Sequence, residues 1–198
     1  MDEFAASDYR VASLDRIAAS GGVSKGSLYH YFEGKLDMYR WLMTEELPRR
    51  KLAALGIEAA STGSLFERLE QAFHAGLALF VREPRLARLA SRLAGPASDP
   101  ELQDLHRESA EATHAYLVRL VRQAQQEGEV REELAPDLVA SIIASIMGRG
   151  LVDALMRQLG TDIDGFGGDP SVVEEVAPAV IDGLVADAAD VLRRAIGT

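Results

Sequence analysis

Apolar residues recur three and four positions apart along most of this chain, the spacing of one face of an α-helix. Leu14, Ile17 and Ala18 mark a first short stripe, and Leu36, Tyr39, Leu42 and Met43 place a helix over 35–55. Pro48 is expected to bend or break that helix, because proline lacks an N–H and clashes with the preceding turn. Longer stripes come next: Leu65, Phe66, Leu69, Phe73, Leu77, Phe80 and Val81 over 64–82; Leu86, Leu89 and Leu93 over 84–94; Leu102, Leu105, Ala112, Tyr116, Leu117, Leu120 and Val121 over 100–126. Two more run over 137–159 and 171–196, the most apolar of the set. Glycine and serine clusters at 56–63 and 160–168 read as loops, the second expected to be mobile. No strand alternation of useful length and no internal repeat occurs, so the fold class is all-α.

The most informative stretch lies between Ser13 and Lys35. Ser13 and Ser24 are each placed to cap a helix through a hydroxyl oxygen. Gly21-Gly22 stops the first helix, Val23 plugs the turn, and Lys25–Tyr31 forms a second. Two short helices across a tight glycine turn make a helix-turn-helix, whose second helix enters a DNA major groove. Lys25, Ser27, Tyr29 and His30 carry hydrogen-bonding groups for phosphates or base edges, and Gly26 leaves the backbone bare for close approach. Leu28 and Phe32 are spaced to anchor the helix; Tyr31 is open between core and phosphate. Ser13 and Ser24, at helix starts, and Lys35 complete the candidate DNA contacts.

The run GVSKGSLYHYFEGK resembles the signature of the TetR (tetracycline-repressor) family of transcriptional regulators. The resemblance covers about the first quarter of the chain. It implies a head over 1–47 that reads double-stranded operator DNA and a body over 48–198 that binds a small-molecule effector and pairs with a second copy. It also implies a full helix ahead of the motif, where this chain offers only Phe4, Ala5 and Ala6; a start further upstream or a shortened head would account for that.

Charge changes the picture. The 198 residues carry a net −10, which argues against nucleic acid until it is divided. Residues 1–51 hold eight acids and eight bases, while the remainder holds 23 acids and 13 bases. Only the head can approach DNA, with few phosphate contacts and a marked salt dependence. There is no cysteine, hence no disulfide or thiolate site, and no secretory leader is evident. The longest near-apolar run, Leu138–Met147, is half the ~20 residues of a membrane span, so a cytoplasmic protein is expected.

In the body, Trp41, Phe66, Phe73, Phe80, Tyr116 and Met147 are candidate walls of a mostly apolar effector pocket, with His74, His114, Arg149 and Asp153 as polar groups beside them. Core packing is the better account of each aromatic taken alone, and an ion pair four residues apart explains Arg149 with Asp153 as well as a ligand or dimer contact does. The last two helices, interrupted by Gly148, Gly150 and Gly183, would meet a second copy through Val139, Ile142, Ile146, Val180, Leu184, Ala188 and Val191. Glu111 and His114 have the spacing of a di-iron motif, as do Glu70 and His74 more loosely, but the matching second motif is absent from the sequence. No nucleophile–base signature or phosphate-binding glycine loop is present. The expectation is a ligand-responsive regulator, needing no cofactor and performing no catalysis. A ligand-binding dimer without DNA binding and a helical-bundle enzyme are the rivals.

Overall fold

The computed structural model describes residues 2–6, 9–50, 63–84, 88–89, 99–166, 176 and 178–198, and all the elements among them are helical apart from an isolated bridge between Val130 and Gly197. The head comprises α1 (Asp2–Ala6), α2 (Leu14–Ser20), α3 (Lys25–Tyr31) and α4 (Lys35–Trp41). The body comprises α5 (Leu65–Arg82), α6 (Pro100–Gln126), α7 (Pro136–Ser145), α8 (Leu151–Leu159), α9 (Ile163–Phe166) and α10 (Pro178–Ile196). Most of the expected helix over 84–94 lies outside the described residues.

Local chemistry fixes several of these boundaries. Ser64 opens α5 with a reciprocal capping box to Glu67. Asp99 caps α6, and Pro100 takes the first helical position, where a missing N–H does no harm. At 27 residues α6 is about 40 Å long, at 1.5 Å per residue.

Pro48 does not break its helix. The turn before it is π-helical over Leu42–Glu46, with the Leu47 N–H bonded to the Leu42 carbonyl, and helix resumes over 47–50. One extra residue in that turn shifts the carbonyls past the ring, relieving the clash that a regular helix would suffer. A second π segment, Ile146–Gly150, joins α7 to α8 in one continuous rod. A Cβ on Gly150 would stand 3.3 Å from the Ser145 carbonyl oxygen, so the close turn favours glycine there.

Two apolar cores result. The body core gathers Phe66, Leu69, Phe73, Leu77 and Phe80 of α5, Leu117 and Val121 of α6, Val139 and Ile143 of α7, Leu155 of α8, and Ile181, Val185 and Leu192 of α10. Part of the expected loop at 160–168 is helical instead: α9 places Phe166, fully buried, against Phe80 with ring centroids 5.7 Å apart, while 167–168 lie outside the described residues. The second core belongs to neither the head nor the body alone. Phe4, Ala5, Ala12, Met38, Tyr39, Leu42, Met43 and Leu47 close over Leu79, Leu89, Leu102 and Leu105. Short as α1 is, Phe4 is 2% exposed and sits edge-on to Tyr39, so the motif keeps its apolar cover.

Candidate nucleic-acid interface

The turn between α2 and α3 closes as a Schellman motif. Gly22 takes φ +64°, the Val23 N–H reaches the Ala18 carbonyl at 3.0 Å, and the Gly22 N–H reaches that of Ala19 at 3.2 Å. Val23 is half exposed rather than a plug; Ala18 is the buried residue here. Ser24 then caps α3, its hydroxyl accepting from the Ser27 N–H at 3.0 Å and lying 2.9 Å from the Ser27 hydroxyl. No residue of α3 is fully buried. Leu28 and Phe32 anchor it against the second core, leaving Lys25, Gly26, Tyr29 and His30 on the solvent face. Tyr31 is 77% exposed and meets His30 edge-on, which resolves its position as outward.

The structure alters the reading of three residues. Ser13 makes no side-chain cap; its N–H donates to the Glu3 carboxylate at 3.1 Å, and Arg16 pairs with the same group. The Arg16 hydrogen bond holds the Glu3 carboxyl below its ordinary range. Lys35 does not extend toward solvent. Its ammonium donates to the carbonyls of Tyr9, Arg10 and Ala12 at 2.7, 3.2 and 3.3 Å and lies 4.5 Å from the centre of the Tyr9 ring. These partners are remote in sequence, so no local pattern signals them. Lys25 is the third: it crosses to α2 and donates to Asp15 at 3.0 Å, a bond that raises the lysine pKa.

The turn that Lys35 organises also ties the head to the start of α6. Arg10 pairs with the Asp99 cap at 2.9 Å, and the Tyr9 hydroxyl donates to Glu101 at 3.2 Å. Burial, reinforced by Glu101, pushes the Tyr9 hydroxyl up to about 12. Beyond the π segment, Arg49 and Arg50 both bond Glu46 at 2.8 Å and hold its carboxyl down to about 2, while Arg50 also reaches Glu83, just past the end of α5, at 3.1 Å.

The candidate pocket residues do not assemble as one lining. Phe66, Phe73 and Phe80 are buried together along α5. Trp41 instead lies on the head surface beside Phe32, with centroids 5.6 Å apart, and Tyr116 and Met147 are exposed. Tyr116 is one position off the stripe that turns Leu117 and Val121 inward. His74 faces outward to Asp182 at 3.0 Å, His114 to Asp137 at 3.4 Å, and Arg149 pairs with Asp153 at 3.7 Å on the surface. Glu111 is engaged with Arg107, and among the described residues no three His, Cys, Asp or Glu side chains converge as a metal set.

Of the expected pairing surface, Val139 is buried within its own subunit and does not belong to it. Of the others, Ile142 and Val191 are exposed, and Ile146, Val180, Leu184 and Ala188 are partly buried against the core. The rod Pro136–Leu159 is long and apolar enough to cross a membrane by length and composition, longer than the run read from sequence. Its Ala140, Ile143 and Leu155 are nevertheless fully buried in the body core.

These features define a helix-turn-helix head, with its second helix open to solvent, on an all-helical body. Two family models of one lineage match the chain: "Bacterial regulatory proteins, tetR family" over residues 1–41, and "Tetracyclin repressor-like, C-terminal domain" over 59–154. The HTH-type transcriptional repressor BepR of Brucella suis is 24% identical over 157 residues, spanning 77% of this chain and 75% of BepR. A TetR family regulator from Chloroflexus aurantiacus superposes with a TM-score of 0.70 at 26% identity, covering 100% of this chain and 89% of that one. FadR of Bacillus subtilis, solved in complex with stearoyl-CoA, shares the fold at a TM-score of 0.66 and 20% identity, covering 92% and 94%. The chain belongs to the TetR family of transcriptional regulators.

Proposed function

We propose that this protein is a homodimeric repressor that leaves its operator when a small, mostly apolar compound binds the body. The observation that carries the DNA-reading half is α3 itself. It is capped, anchored by Leu28 and Phe32, and presents Lys25, Gly26, Tyr29 and His30 outward. BepR's description as a repressor supports the direction of control. The exposed Ile142 and Val191 and the partly buried Leu184 support a paired state, and a dimer would set two copies of α3 about 34–36 Å apart, one turn of DNA. The phenylalanine-rich interior of α5 and the acyl compound held by FadR support an apolar effector. Such a compound lowers DNA affinity only by its preference for a second arrangement of the two heads.

The test is fluorescence anisotropy of the full chain on the DNA upstream of its own coding sequence, over a series of salt concentrations. Binding that weakens steeply with salt, and is abolished by the double variant Lys25→Ala, Tyr29→Ala, is the expected result. Flat titrations at low salt would refute the DNA-reading function and favour a dimer that binds ligand alone.

A further inference from the structure

Lys25 is the first residue of the helix offered to DNA, yet its charge is already answered from within the head. The ammonium bridges to Asp15 in the first turn of α2, 3.0 Å from one carboxylate oxygen and 2.9 Å from the other. Both side chains are open to solvent, 49% exposed for Lys25 and 68% for Asp15, so the pair can open whenever a better partner arrives. The other head cations are engaged as well, none of them on α3. Arg16 is held by Glu3, Arg10 by Asp99, and Lys35 is turned inward onto carbonyls. Arg40 lies 3.5 Å from Glu108 of α6. Lys25 is thus the cation that the reading helix itself presents, and Asp15 stands beside it on the helix that crosses the DNA backbone in this motif.

We propose that Asp15 is a specificity-determining counter-ion: it masks Lys25 from DNA in general and yields it only to a sequence that offers a directed contact. This deepens the DNA-reading function and depends on it. Non-specific binding is governed by cations that displace condensed counterions from phosphates. While Lys25 is paired, it contributes nothing to that count. On the operator, Lys25 reaches a base edge or a fixed phosphate, the pair is open, and the lysine counts fully. Asp15 therefore widens the gap between operator and random DNA by weakening the latter.

The inference is tested with Asp15→Asn, nearly isosteric and on an exposed position, in the full chain. Affinity is measured by anisotropy against salt concentration on two duplexes of equal length, the DNA upstream of its own coding sequence and a scrambled sequence. On scrambled DNA the variant should gain one phosphate contact: the slope of log K against log salt steepens by about 0.9, equivalent to about eightfold tighter binding at 0.1 M salt. On the upstream DNA the slope should stay that of the wild type. An unchanged slope on scrambled DNA overturns the proposal. So does a slope that still steepens when Asp15→Asn is placed in a Lys25→Gln background, since Asp15 would then act on phosphates without Lys25. A wild-type chain that binds neither duplex at low salt refutes the DNA-reading function itself, an outcome seen before any variant is compared. Matching thermal midpoints for wild type and variant exclude a folding defect.

Discussion

Gly26 offers the sharpest test of how α3 is used. It is the second residue of a seven-residue helix, a place where glycine is a poor choice for the fold alone. A Cβ built there would meet only the Ser24 hydroxyl oxygen, at 3.7 Å, which is ordinary contact. The folded chain thus has room for alanine. Gly26→Ala should stabilise the protein by about 0.5–1 kcal/mol, the helix-propensity difference, with the lower figure the better guide in a first turn. For a chain of this size that raises the thermal midpoint by about 1–4 °C. The same methyl group would stand between the helix backbone and DNA. If the backbone closes on a sugar or base there, affinity should fall at least tenfold, about 1.4 kcal/mol. Differential scanning calorimetry and anisotropy on one preparation read both effects. A lower midpoint would refute the packing argument. A higher midpoint with unchanged DNA affinity would refute the close approach.

Three other perturbations probe the packing and the ion pairs. Lys35→Met keeps the stem but leaves the carbonyls of Tyr9, Arg10 and Ala12 without their donor, and should destabilise the chain by about 1–3 kcal/mol in chemical denaturation. Glu46, held down to about 2 by Arg49 and Arg50, contributes stability that is present above its ordinary carboxylate range, near 4.5, and is lost as pH falls toward 2. Wild type should therefore lose more stability than Glu46→Gln between pH 5 and pH 3, read as thermal midpoints at each pH. Phe166→Ala should cost about 3–5 kcal/mol, because the ring is fully buried against Phe80; a loss under 1 kcal/mol would show that α9 is not part of the core.

The sequence made legible much of what depends on near neighbours, though not the Ser13 cap or the place of Val23. The Ser24 cap, the glycine turn, the Leu28–Phe32 anchor and the limits of α6 at Pro100 and Gln126 all arise from residues within one or two turns. The contacts that escaped join distant stretches. Lys35 turns back 23 to 26 residues, and Asp99 meets Arg10 across 89. The π segments were hidden for a different reason: one added residue per helix leaves composition and capping signals untouched while rotating the rest of the helix by about 100°. That rotation is part of why Met147 points outward and Leu151 inward. Trp41 shows the limit of ranking residues by size, since a large ring on a helix is not thereby interior.

The second core bears on modularity. Because Phe4, Met38, Tyr39 and Leu47 share one apolar interior with Leu79, Leu89, Leu102 and Leu105, the border between the head and the body runs through a packed interior. A chimera that swaps residues 1–47 onto a foreign body would inherit half of a jigsaw. A portable cassette would need the head together with the stretches that carry Leu79, Leu89, Leu102 and Leu105. A family that diversifies by exchanging readers would have to exchange that larger piece, or let both halves drift in step.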